Sequence, residues 1–118
     1  MKNVKIVVFG GSGFLGSHVC DKLNDAGYDV TIFDIKKSPW LRDNQKMIIG
    51  DLLDIDSVRE AVKGAQFVFN FAGIADLDAA KTMPIETAKF NVYGNAIVLD
   101  ACVREKVKRI IYASTVYV

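Results

Sequence analysis

Four of the chain's nine glycines, Gly10, Gly11, Gly13 and Gly16, fall within the ten-residue stretch Phe9-Gly-Gly-Ser-Gly-Phe-Leu-Gly-Ser-His18. Glycine gives the backbone freedom at an entropic cost, so a cluster of it marks a turn or a close approach. Its flanks narrow the choice. Val4 to Phe9 is a nearly continuous apolar run, the pattern of a strand buried on both faces. Beyond the glycines, Leu15, Val19, Leu23 and Ala26 recur at helical spacing, and Gly27 supplies a stop. A strand, a glycine loop and a helix in direct succession commit the chain to a β-loop-α unit.

The rest of the chain repeats that alternation. Val30 to Phe33 reads as a second strand ending at Asp34, and residues 35–45, with Lys36, Lys37, Pro39 and Trp40, read as a loop. Lys46 to Ile49 is a third strand, followed by Gly50-Asp51. A short helix is expected from about Asp56 to Lys63, with Ile55, Val58 and Val62 facing inward and Gly64 ending it. Phe67 to Phe71 is a fourth strand. Pro84 suits a first helical turn, opening a long helix to about Glu105, and Arg109 to Ala113 is a fifth strand. On the long helix, Ile85, Val92, Ala96, Leu99 and Val103 are expected to face the sheet, with Ile97, Val98 and Cys102 widening the apolar surface. Alternating strands and helices imply an α/β class, a doubly wound parallel sheet of the Rossmann type. We expect one domain over residues 1–118, truncated after the fifth strand.

Composition narrows the function classes. The chain is 51% hydrophobic and 25% charged, with a net charge of +1, so no general field draws it to nucleic acid or an acidic membrane. No apolar stretch is long enough for a membrane span, and the start lacks the pattern of a signal peptide. Cys20 and Cys102 sit in helical patterns without metal-type spacing. They are expected to be buried thiols in a reducing, cytoplasmic setting, with no metal site.

The glycines fit either Gly11-x-Gly13-x-x-Gly16 or Gly10-x-x-Gly13-x-x-Gly16. Between a strand and a helix, such a loop lets backbone amides approach a pyrophosphate, aided by the positive end of the helix dipole. A flexible strand-to-helix turn is the plainer alternative. Asp34, eighteen residues past Gly16, ends the second strand where an acid accepts hydrogen bonds from an adenosine ribose. Its charge would repel a 2′-phosphate and favour NAD over NADP. Lys36 and Lys37 either blur that choice or form a solvated loop. Asp51 has two readings, adenine binding and the satisfaction of turn amides. Asn91 is either a position ordering the site or an exposed side chain. His18, the one histidine, reads as a packing or capping residue, and Phe67, Phe69 and Phe71 read as core.

Taken in order, the glycine loop, Asp34, Gly50-Asp51-Leu52, Asn70-Phe71-Ala72-Gly73, Asn91-Val92-x-Gly94-Asn95 and Tyr112-Ala113-Ser114-Thr115-Val116-Tyr117 resemble a known family. It is that of the extended short-chain dehydrogenase/reductases, the NAD-dependent epimerase/dehydratase group that includes UDP-galactose 4-epimerase. The resemblance implies a glycine fingerprint at Gly10, Gly13 and Gly16, sharing its loop with Gly11, and pyrophosphate amides at Phe14 and Leu15. It implies a ribose acid at Asp34, adenine contacts at Asp51 and Leu52, and a cofactor wall at Phe71, Ala72 and Gly73. Thr115, or Ser114 beside it, would be the catalytic hydroxyl. A nucleotide-sugar substrate and a homodimer built on the long helix are implied as well. Phe9 departs from the family's usual threonine before the glycines.

The family's chemistry also needs a Tyr-x-x-x-Lys pair. A free tyrosine ionises near pH 10, so its neutral-pH use costs about 4 kcal/mol, which a lysine and the cofactor offset. Four residues beyond Tyr28, Tyr93 and Tyr112 stand Ile32, Ile97 and Val116, and the sequence stops one residue after Tyr117. The expectation is therefore the cofactor half of a longer enzyme, without its substrate domain and inactive by itself. The rival expectation is a non-catalytic NAD-binding module that senses redox state or regulates a partner. A fifth strand lacking its outer neighbour would add a second route to association.

Overall fold

In the computed structural model, which describes residues 4–73 and 77–113, β1 (Lys5–Phe9) lies at the centre of a five-stranded parallel sheet. β2 (Asp29–Asp34) and β3 (Lys46–Ile49) lie on one side of it, and β4 (Ala65–Asn70) and β5 (Arg109–Tyr112) on the other. The order is β3-β2-β1-β4-β5, with Val7 opposite Thr31 on one side and Val68 on the other. The strand order thus reverses between β1 and β4, which opens a crevice at their C-terminal ends.

β1 is apolar throughout its inner part because both of its faces are covered. Val7 and Phe9 pack with Phe33, Val58, Val62, Val68 and Val98. Ile6 and Val8 pack with Val30, Ile32 and Cys20 on the opposite face. The first layer is closed by α2 (Ile55–Val62) and α5 (Gly94–Arg104), the second by α1 (Phe14–Asp25). The Asp54 side chain caps α2 by accepting the Ser57 amide at 3.2 Å. The expected cysteine burial is observed, Cys20 on one face of the sheet and Cys102 on the other.

The structure departs from the sequence expectations at four points. The long helix does run without a break in helical backbone from Pro84 to Arg104, but in three parts: α4 (Pro84–Ala88), a π turn (Lys89–Tyr93) and α5. Its faces are the reverse of those expected. Ile97, Val98, Ala101 and Cys102 are buried, whereas Ile85 (71% exposed), Val92 (70%), Leu99 (43%) and Val103 (77%) face outward with Ala96. Two apolar stripes compete on this helix, and the buried one contains Gly94. A Cβ there would stand 2.6 Å from Leu52 Cδ2, so the bare glycine is the point of closest approach. Ile55 is also half exposed, since it stands at the first position of α2, outside the packed turns. Finally, α3 (Leu77–Thr82) was not anticipated, being too short to show a helical period.

Candidate functional site

The chain leaves β1 through Gly10, whose φ of +79° suits glycine and whose amide bonds the Phe33 carbonyl at 2.9 Å. A Cβ at Gly10 would sit 2.7 Å from the Phe71 carbonyl carbon and 2.8 Å from the Ala72 nitrogen. This glycine therefore lets the loop after β1 pass against the loop after β4. A Cβ at Gly16 would overlap the Gly10 carbonyl oxygen, so the bare helix seats directly on the loop. Gly11 is buried against Ile32 and Cys20.

Gly13 differs from these three. It is exposed, with ordinary backbone angles, and a Cβ there would meet only the Gly10 oxygen at 3.4 Å. The protein's own packing does not demand glycine at this position. Gly13 is the N-cap of α1 and offers no capping side chain. Among the described residues, the amides of Phe14, Leu15 and Gly16 have no acceptor. These free N–H groups and the helix dipole make an anion-accepting surface.

Asp34 faces the same loop from the end of β2. Its Oδ2 accepts the Ser12 amide at 3.0 Å and its Oδ1 the Ile35 amide at 2.7 Å. Oδ1 also receives the Lys36 amide at 3.4 Å, so Oδ2 is the oxygen that keeps acceptor capacity for a further donor. The Asp34 carbonyl accepts the Gly50 amide at 3.0 Å, which brings the turn after β3 alongside. There Asp51 Oδ1 accepts the Leu53 amide at 2.9 Å, so its turn-holding reading is realised while the residue still lines the cleft. Leu52 is buried beneath, against Gly94.

Together these elements enclose a cleft of about 370 Å³ at the reversal of strand order. It brings together Gly10, Gly13, Asp34, Asp51, Leu52, Phe71, Ala72 and Gly73 of the expected residues. Gly11 and Gly16 lie behind its wall, and Phe14 and Leu15 stand exposed at the tip of α1. Ser114 and Thr115 lie outside the described residues. His18 is exposed and meets the Phe14 ring edge-on at 4.8 Å, as a packing residue does. Phe67, Phe69 and Phe71 are partly buried against the α1-side core.

Several contributors escaped the sequence reading. Ile35 and Phe90 line the cleft, and Phe90 gets there because the π turn shifts the helical phase. Asn91, for which the sequence leaves two readings open, is partly buried in the same turn and meets the loop after β4: a Cβ on Gly73 would stand 2.6 Å from its Oδ1. Asn70, almost fully buried, donates to Asn95 Oδ1 at 2.9 Å and accepts the Ala72 amide at 3.1 Å. Among the described residues, no cluster of three or more His, Cys, Asp or Glu is placed to hold a metal.

The parallel sheet, its strand order and the crevice define a Rossmann-type α/β domain. The chain belongs to the NAD dependent epimerase/dehydratase family, whose sequence profile it matches over residues 6–118. It is 33% identical to a UDP-glucose 4-epimerase of Yersinia pestis, with 95% of this chain and 37% of that protein covered. It is 31% identical to mouse 3 beta-hydroxysteroid dehydrogenase type 7, covering 95% of this chain and 32% of the relative. The fold superimposes with a TM-score of 0.87, at 26% identity, on the Thermus thermophilus UDP-glucose 4-epimerase in complex with NAD. That match covers 95% of this chain and 38% of the other. The chain thus spans about a third of the length of these relatives. No helix among the described residues is long and apolar enough to cross a membrane.

Proposed function

We propose that this chain is the NAD-binding part of an enzyme that epimerises or dehydrates a nucleotide sugar. The observation that carries the reading is one cleft lined by Gly10, Gly13, Asp34 and Asp51, with Gly13 also the N-cap from which the free amides of α1 follow. The residues suit the cofactor. Gly13 leaves open the space that a Cβ would fill, and the amides of Phe14 and Leu15 would donate to the cofactor's pyrophosphate. Asp34 would take the adenosine ribose, Asp51 and Leu52 the adenine side, and Phe71, Ala72 and Gly73 the central part. When bound, NAD accepts a hydride at its nicotinamide and returns it. Thr115, or Ser114, is proposed to hydrogen-bond the reacting hydroxyl.

The likeness to UDP-glucose 4-epimerases supports a nucleotide sugar as substrate. The steroid dehydrogenase relative supports a second reading, oxidation of a hydroxysteroid by the same cofactor half. The outward stripe of Ile85, Val92, Leu99 and Val103 supports a homodimer through α4 and α5. Two buried cysteines that form no disulfide with each other are in keeping with a cytoplasmic location.

Calorimetric titration of NAD into the parent chain and into Asp34→Ala tests the cofactor reading. Loss of affinity in the variant is the expected result, and equal affinity contradicts it. The reading frame beyond codon 118 tests the rest. A Tyr-x-x-x-Lys pair there supports the enzyme, and an early stop codon supports a non-catalytic NAD-binding module.

A further inference from the structure

We infer that Ser12 is a positioning residue that sets the choice between NAD and NADP, by tying the turn after β2 to the glycine loop. This rests on the reading of Asp34 as the ribose acid. Ser12 lies between Gly11 and Gly13, half-buried, and makes two contacts across the gap. Its amide donates to Asp34 Oδ2 at 3.0 Å, and its hydroxyl donates to the Lys36 carbonyl at 2.6 Å. The Met47 sulfur stands 3.9 Å behind the hydroxyl. On the far side, Asp34 Oδ1 takes the Ile35 amide at 2.7 Å, with the Lys36 amide more distant at 3.4 Å. Ser12, Asp34 and Lys36 thus close a small ring of hydrogen bonds.

The two Ser12 contacts have separable consequences. The amide bond orients the carboxylate and survives any substitution that keeps the backbone N–H. The hydroxyl bond does something else: it fixes the backbone that carries Lys36 and Lys37, both of which are exposed. A 2′-phosphate arriving beside Asp34 meets a like charge and needs a cation to offset it. With Lys36 held by its carbonyl, a rearrangement of the turn that brings a lysine ammonium to that phosphate has first to break this bond. Releasing the carbonyl frees the turn and weakens discrimination. A merely structural loosening of the glycine loop would instead weaken both dinucleotides alike and leave their ratio untouched.

Fluorescence titrations with NADH and NADPH read that ratio directly. Ser12→Ala is expected to lower the preference for NADH by at least about threefold, the scale of one partly solvated hydrogen bond. Ser12→Thr, which keeps the hydroxyl, is expected to stay near the parent. Adding Lys36→Ala and Lys37→Ala to Ser12→Ala should restore the preference, since the lysines supply the new attraction. Thermal melting confirms that each variant is folded before titration. A ratio in Ser12→Ala matching the parent's overturns the inference, as does a Ser12→Thr variant that shifts as far as Ser12→Ala. Asp34→Ala separates the two levels of the argument. If it leaves the ratio unchanged, the ribose reading itself falls. If it shifts the ratio while Ser12→Ala does not, only the role of Ser12 falls.

Discussion

The Asn70 side chain joins the cleft wall to α5, donating to Asn95 Oδ1 at 2.9 Å while accepting the Ala72 amide at 3.1 Å. Removing it strands two polar groups next to a buried position. Asn70→Ala is therefore expected to destabilise the fold by about 1–3 kcal/mol in urea denaturation. Asn95→Ala, at a half-buried site, should cost less. The double variant should cost less than the two singles combined, because the pair shares one bond. Strict additivity would show that the two amides do not act as a unit.

Lys106 follows α5 with φ of +57°, the one non-glycine residue with a positive φ among those described. It occupies the position past the helix end where glycine is usual, and the Val107 amide bonds the Cys102 carbonyl at 2.9 Å. Lys106→Gly removes the left-handed penalty and should raise stability by about 0.5–1 kcal/mol, net of glycine's greater freedom when unfolded. A lower denaturation midpoint in this variant would contradict the assignment of strain to Lys106.

Charges on the outer stripe and the inner stripe of α5 should behave differently. Val103→Glu and Leu99→Glu place a charge where the side chain is already solvated, so they should disperse a dimer without unfolding the chain. Ile97→Glu buries an unpaired charge in the core and should unfold it outright. Light scattering and circular dichroism on the three variants separate these outcomes. A parent chain that is monomeric at high micromolar concentration removes the dimer proposal.

Both thiols are held back from ionising, chiefly by burial: Cys20 is pushed up to about 12 and Cys102 to about 11, from an ordinary 9.0. Neither should react with a thiol reagent at neutral pH until the protein unfolds. The linkage has a definite sign. Above about pH 9 the unfolded chain loses thiol protons that the folded chain retains, so stability should fall as pH rises from there towards 11 and 12. Cys20→Ala and Cys102→Ala should each flatten that alkaline slope. A slope unaffected by either substitution would assign it to other groups.

The architecture was legible because strands buried on both faces read as unbroken apolar runs, and the glycines and Asp34 have few other uses at their spacing. The α5 faces were not legible, because both stripes are apolar. The deciding feature was the small Gly94, whose value appears only once Leu52 is packed against it. Phe90 was hidden for a related reason: the π turn changes the phase that helical counting assumes. The Asn70–Asn95 pair joins residues 25 positions apart, and an asparagine carries no sequence signal of its partner.

Gly13 offers the most direct test of the cofactor site. A side chain there finds ordinary contact distance within the protein, so Gly13→Val should fold and melt within a few degrees of the parent. What it should lose is the approach of a pyrophosphate to the amides of Phe14 and Leu15. Calorimetric titration with NAD is predicted to show at least about tenfold weaker binding, or about 1.4 kcal/mol. Folded Gly13→Val that binds NAD as tightly as the parent would contradict the account.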